Sequence, residues 1–254
     1  MTLLLSVLPQ EAGHMQWCVS HFRVPHAPMV CRMHPTHLLY LHGFRSSPQS
    51  AKAQMVTRWV HAFNQQHPDA PITWACPQLP KSPQAAWAAL THLTADWPAE
   101  RMAVIGSSLG GYYATAVARH KGCRAWLINP AVAPARDLAA YLQQANQPHP
   151  PQDNAYFQAA FVDELQALNP HPIAHWLPLL APDQADTTAR MGVLIAKGDE
   201  VLDWREMHGA YADHPHVHIR LLEGGDHTVS NFDQHLPEVL QFLGFAQQWD
   251  NPQV

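Results

Sequence analysis

Nowhere in this 254-residue chain does an apolar run approach the roughly 20 residues that span a bilayer. Basic clusters are missing too, and a net charge of −5 leaves no electrostatic footprint of a nucleic-acid binder. Cysteine is sparse. Cys18, Cys31, Cys76 and Cys123 stand far apart and show no metal-type pairing. The opening Met1-Thr2-Leu3-Leu4-Leu5-Ser6-Val7-Leu8 has a short apolar core but no basic residue before it, which makes a poor signal peptide. These absences set the expectation of a soluble cytoplasmic enzyme with free thiols and neither membrane nor nucleic acid as partner.

What is present suits one α/β domain with a sizeable core. The length and the apolar share of 47% are both ordinary for such a chain. Proline, histidine, glutamine and alanine are abundant and read as compositional background. Residues 1–36 carry Pro9, Pro25, Pro28 and Pro35 without sustained periodicity. They read as an irregular extension with a short strand near Gln16–Arg23, and Met33 is an alternative start. From His37 the pattern alternates. Apolar runs at 38–41, 72–76, 102–105, 125–128 and 193–196, and the segment 217–222, read as strands. Helical stretches are expected at 48–66, 85–95, 109–120, 204–212 and 236–245. In the first helix Ala51, Met55, Trp59 and Phe63 share a face. Residues 131–190 break the rhythm with proline-interrupted helical pieces. Continuous apolar strands separated by helices argue for a mostly parallel sheet covered on both faces.

The sharpest local signal is Gly106-Ser107-Ser108-Leu109-Gly110-Gly111, placed directly after the strand at 102–105. Small residues let the backbone fold into a tight strand-to-helix turn that pushes a serine hydroxyl outward, with helix N–H groups aimed at the same place. Ser108 is the candidate nucleophile. A serine needs a base, and the base needs an orienting group, in this fold in the chain order Ser, acid, His. After the strand at 193–196 comes Lys197-Gly198-Asp199-Glu200-Val201-Leu202-Asp203. Asp199 is the favoured acid, with Glu200 and Asp203 as alternatives and a solvated acidic loop as the plain structural reading. After the strand at 217–222 comes Glu223-Gly224-Gly225-Asp226-His227, which puts His227 at the tip of a turning loop. The oxyanion donors are expected to be the backbone N–H groups of Leu109 and, from the loop Leu41-His42-Gly43-Phe44, of Phe44. His42 is read as bracing that loop.

At these residues the chain closely resembles the YqiA/YcfP family of small α/β-hydrolase esterases. The resemblance is carried by Tyr40-Leu41-His42-Gly43-Phe44 with Ser46-Ser47-Pro48-Gln49-Ser50, and by Pro77-Gln78-Leu79. It continues through Gly106-Ser107-Ser108-Leu109-Gly110-Gly111-Tyr112-Tyr113-Ala114-Thr115 and Ile128-Asn129-Pro130-Ala131-Val132. Gly198-Asp199-Glu200-Val201-Leu202-Asp203 and Gly224-Gly225-Asp226-His227 complete it, over roughly residues 37–245. The resemblance implies an α/β-hydrolase fold and a serine esterase for small acyl esters or acyl thioesters, without a cofactor. Its triad would fall on Ser108, Asp199 and His227. Two departures stand out: the 36-residue extension, and Thr228-Val229-Ser230, which is less aromatic than the family pattern.

The domain is accordingly expected to run over 37–248, with 131–190 as a lid-like helical insertion. Tyr141, Tyr156, Phe157, Phe161, Trp176 and Leu177 are candidates either to line an acyl pocket or to pack the insertion down. Two other readings compete. His214, His216 and His218 would share a strand face, and His171 and His175 a helix face, but no carboxylate accompanies them as in a zinc protease. A binding protein that kept the fold is the non-catalytic alternative.

Overall fold

The apolar runs become strands. The computed structural model describes residues 34–144, 158–171 and 189–245. In it β1 is His37–Leu41, β2 Thr73–Ala75, β3 Met102–Ser107, β4 Arg124–Ile128, β5 Met191–Ala196 and β6 Val217–Leu222. They form one sheet in the order β2-β1-β3-β4-β5-β6, every pairing parallel. The central strands β3 and β5 are buried along their whole length, as a sheet covered on both faces requires. Between them the chain forms helices α1 Ala51–Gln66, α2 Pro83–Leu93, α3 Leu109–Lys121, α4 Pro134–Gln144, α5 Ala160–Leu168 and α6 Trp204–Tyr211, and after β6 comes α7 Leu236–Leu243.

Alternate strand residues point to opposite faces and build two cores. Leu39, Leu41, Val104, Leu127, Val193 and Ile195 pack with residues of α2, α3 and α6. Leu38, Tyr40, Ile105, Trp126, Ile128 and Leu194 pack with α1 and α7. Strand order reverses between β1, which leads out to β2, and β3, which leads the other way. Such a switch point opens a crevice beyond the carboxyl ends of the strands.

Several boundaries and faces differ from the sequence expectation, each for a local reason. Ser47–Ser50 is a turn, closed by the Ser50 N–H on the Ser47 carbonyl, so α1 starts at Ala51 rather than Pro48. Its buried stripe is Ala53, Val56 and Val60; Met55, Trp59 and Phe63 only flank it, and Ala51 is exposed. Ile72 stays outside β2 because the Asn64 side chain takes both its N–H (2.7 Å) and its C=O (3.0 Å). Helix α2 starts two residues early, with Pro83 in its first turn and the Ser82 hydroxyl accepting from the Ala85 N–H at 3.1 Å. The 214–218 histidines do not share a strand face. Val217 N–H closes a turn on His214, the His216 carbonyl accepts from Arg190 and Met191, and only His218 lies on β6, stacked on Phe242. Among the described residues no group of His, Cys, Asp and Glu has the arrangement of a metal site.

Of the insertion, α4 and α5 are described. Helix α5 is fastened to the domain by Leu165, which joins the core, and by Tyr112, whose hydroxyl donates to the Leu165 carbonyl at 2.6 Å; Phe161 on the same helix is buried. Glu164 accepts from the Ser82 hydroxyl (2.7 Å) and the Gln84 N–H (2.9 Å). Gln16–Arg23, Cys18, Cys31, Met33, Tyr156, Phe157, His175, Trp176, Leu177 and the side chain of Tyr141 lie outside the described residues. No helix among the described residues is long and apolar enough to cross a membrane.

Candidate active site

Ser108 follows β3 directly and precedes the first residue of α3. Its backbone has φ 55° and ψ −124°, a region an L-residue occupies only when its surroundings force it. The forcing contacts are plain. A Cβ at Gly106 would lie 2.3 Å from the Gly110 carbonyl oxygen, and one at Gly110 would lie 2.0 Å from that of Leu41. Only glycine lets β3, α3 and β1 approach this closely, which is the physical content of the Gly-x-Ser-x-Gly spacing. The turn is then locked from β4: Ser108 N–H donates to the Ile128 carbonyl (3.0 Å), and Ala131 N–H donates to the Ser108 carbonyl (3.1 Å).

The acid and histidine loops converge on this serine from β5 and β6. His227 Nε2 lies 3.0 Å from Ser108 Oγ, and its Nδ1 lies 2.7 Å from Asp199 Oδ2. The carboxylate can only accept, so Nδ1 carries the proton and Nε2 presents its lone pair to the hydroxyl. Asp199's side chain is wholly buried, and its other oxygen accepts from the Val201 and Leu202 N–H groups, both at 2.8 Å. Three donors thus hold a charge that burial alone would not tolerate. The neighbouring acids do other work. Glu200 accepts from the His227 backbone N–H at 3.0 Å, and Asp203 caps α6 by accepting from Arg205 N–H at 2.9 Å. The acid loop and the histidine loop touch at Gly198, where a Cβ would stand 2.2 Å from the Gly225 carbonyl oxygen.

The histidine loop is anchored on both sides of the imidazole. Asp226 accepts from the Ser230 N–H and from the hydroxyls of Ser230 and Thr228, and the Ser230 hydrogen bonds hold its carboxyl below the usual range. Val229 is buried among Phe232, Leu236 and Val239. The segment that departs from the family pattern therefore serves as a packed anchor. Lys52, at the start of α1, donates to the Thr228 carbonyl. Burial pushes this lysine below its usual pKa, and the charge of Asp226 partly opposes the shift.

On the β1 side, Gly43 lies against the serine turn. A Cβ there would stand 3.6 Å from Ser108 Oγ. His42 is buried, with its ring Nδ1 on the Gly43 carbonyl at 3.1 Å, which suits the expected bracing of this loop. Phe44 follows Gly43 and is 42% exposed. Leu109 opens α3, where a backbone N–H has no acceptor inside its own helix.

One residue at this centre is not singled out by the spacing of the sequence. Asn129 directly follows β4, is fully buried, and adopts φ 40°. Its side-chain amide nitrogen donates to the carbonyls of Asp226 and His227, both at 3.1 Å, and its oxygen accepts from Ala196 N–H at 2.8 Å. The available signal is an amide closing an apolar strand immediately before a proline, a pair that marks a turn.

Against known proteins, residues 37–244 match the model of a family described as Uncharacterised protein family (UPF0227), the same family that the motifs resemble. Among solved structures the chain is similar to Est1E from Butyrivibrio proteoclasticus, with TM-score 0.57 and 11% identity over 82% of this chain and 86% of that one. It is similar to mouse alpha/beta hydrolase domain-containing protein 10, with TM-score 0.54 and 15% identity over 80% and 90%. The Pyrococcus furiosus esterase Pf2001 is a further likeness, with TM-score 0.52 and 13% identity over 84% and 83%. At this distance the likenesses establish the fold, which is that of the α/β hydrolases.

Proposed function

The chain belongs to the UPF0227 (YqiA/YcfP) family, and we propose that it is a serine esterase acting on small acyl esters or acyl thioesters through Ser108, His227 and Asp199. The observation that carries this reading is the unbroken contact chain from the buried Asp199 carboxylate through His227 to the Ser108 hydroxyl. Ser108 Oγ attacks the acyl carbonyl carbon while His227 Nε2 takes the hydroxyl proton. Asp199 holds the imidazole in the tautomer that can accept it and stabilises the imidazolium that forms. The N–H groups of Leu109 and Phe44 stabilise the oxyanion. Collapse of the tetrahedral species expels the alcohol or thiol, which leaves with the proton from His227. Water, deprotonated by the same histidine, then releases the acid from Ser108. Every proton moves through one imidazole, and no cofactor is required.

The deciding experiment is intact mass after incubation with a fluorophosphonate, on the wild type and on Ser108→Ala. A single adduct that disappears in the variant supports an activated serine. Absence of any adduct on folded wild-type protein would overturn the reading and leave a binding role for the fold.

A further inference from the structure

The nucleophile, the acid and the histidine sit on loops from three different strands, so something must fix how these loops stand relative to one another. The end of β4 runs between them. Its backbone grips the nucleophile on both flanks, through Ile128 O with Ser108 N–H and Ala131 N–H with Ser108 O. Asn129, between those two positions, spends every polar atom of its side chain on the other two loops. Its oxygen takes the N–H of Ala196, the last residue of β5 and three before Asp199. Its nitrogen takes the carbonyls of Asp226 and His227 together. Its own N–H adds a bond to the Leu194 carbonyl at 2.9 Å. A fully buried amide with its side-chain acceptor and both donors engaged, at a positive φ that asparagine tolerates better than most residues, is a specified position.

We propose that Asn129 is a positioning residue that sets the distance from His227 to both Ser108 and Asp199. It touches neither substrate nor reacting atoms. Its amide clamps the backbone carbonyl of His227, so the imidazole's root cannot drift along β6 relative to the elbow. An aspartate of the same shape keeps an acceptor for Ala196 but, once ionised, faces the two carbonyls with no donor. Glycine keeps the positive φ and removes the side chain altogether. Neither change touches the Ser108, His227 or Asp199 side chains.

This inference rests on the esterase reading, and the test separates the two. Wild type, Asn129→Asp and Asn129→Gly are assayed with p-nitrophenyl acetate. Concentrations are corrected by counting reactive sites with a fluorophosphonate, so misfolded molecules drop out. A displacement of the order of 1 Å costs about 100-fold in rate. The expected result is therefore a loss of kcat per titrated site by about 100-fold with KM nearly unchanged. A purely structural asparagine would lower the number of active sites or the melting temperature while leaving kcat per site as in wild type, and that result overturns the proposal. Failure of both variants to fold also overturns it, because a residue that sets only the loops leaves a foldable chain behind. If the wild type neither turns over the ester nor labels, the esterase reading has failed instead.

Discussion

The turn at Ser108 stores backbone strain, and a pair of variants at this position measures it. Ser108→Ala and Ser108→Gly both delete the hydroxyl and its contact with His227, so they differ only in the Cβ. Alanine keeps a Cβ on a residue at φ 55°, ψ −124°. Glycine relieves that conformation, and backbone strain of this kind costs about 1–3 kcal/mol. Two effects oppose the gain. Glycine gains more entropy in the unfolded chain, about 0.5–1 kcal/mol. The lost methyl group is half-buried, which forfeits roughly 0.4 kcal/mol at the usual value per carbon. With strain near the middle of its range, Ser108→Gly is expected to be more stable than Ser108→Ala by about 0.5–1 kcal/mol. For a domain of this size that is about 1–4 °C in melting temperature. Urea titration of the two variants at one pH, with equal slopes, gives the difference directly. If Ser108→Gly is the less stable of the two by more than about 0.5 kcal/mol, the strain at Ser108 lies below the range expected for this backbone conformation.

Two further outcomes follow from side chains already described. Asp203→Asn should leave turnover near wild type, since asparagine caps a helix as well as aspartate does, while Asp199→Asn should lower kcat by orders of magnitude. Equal damage from both, in a steady-state ester assay, would mean that the acid has been misassigned. His171 is enclosed with Tyr112 and Tyr211, and burial pushes its imidazole from 6.5 down to about 4. The unfolded chain then binds the proton first. Stability from keeping this ring neutral is complete above about pH 6.5 and is lost as pH falls toward 4, by roughly 1.4 kcal/mol for each step of one in pH. Melting temperatures of His171→Gln between pH 7 and 4.5 should fall less steeply than those of the wild type; parallel curves would refute it.

Much of this architecture is legible in the sequence because parallel strands buried on both faces must be apolar throughout. Runs such as Leu38–Leu41 and Val193–Ala196 therefore announce themselves. The order serine, acid, histidine is legible in part for the same reason, since Ser108 and Asp199 follow such runs, while His227 follows the mixed strand Val217–Leu222. What escapes is decided by partners distant in the chain. Asp199, Glu200 and Asp203 are chemically alike, and only the position of His227 and the start of α6 assigns them three separate tasks. The stripe of α1 escapes because spacing four fits Ala51, Met55, Trp59 and Phe63 as well as spacing three and four fits Ala53, Val56 and Val60. The sheet chooses between them. Asn129 is one amide among many until its three acceptors and donors are in place.

The position of β5 in the sheet also has a consequence for how the chain is made. Met191-Gly192-Val193-Leu194-Ile195-Ala196 is uncharged, free of proline and entirely buried, and its outer edge is covered only when β6 pairs along it. Six-residue segments of this character stack readily with copies of themselves. A ribosome that has delivered β5 but not Val217–Leu222 thus holds a nascent chain with an open, adhesive edge, as does any product of a stop codon or protease cut between the two. The same late strand that carries His227 into place is the one that covers the edge of β5. Covering of the β5 edge and assembly of the Ser108 centre are thereby coupled through one strand.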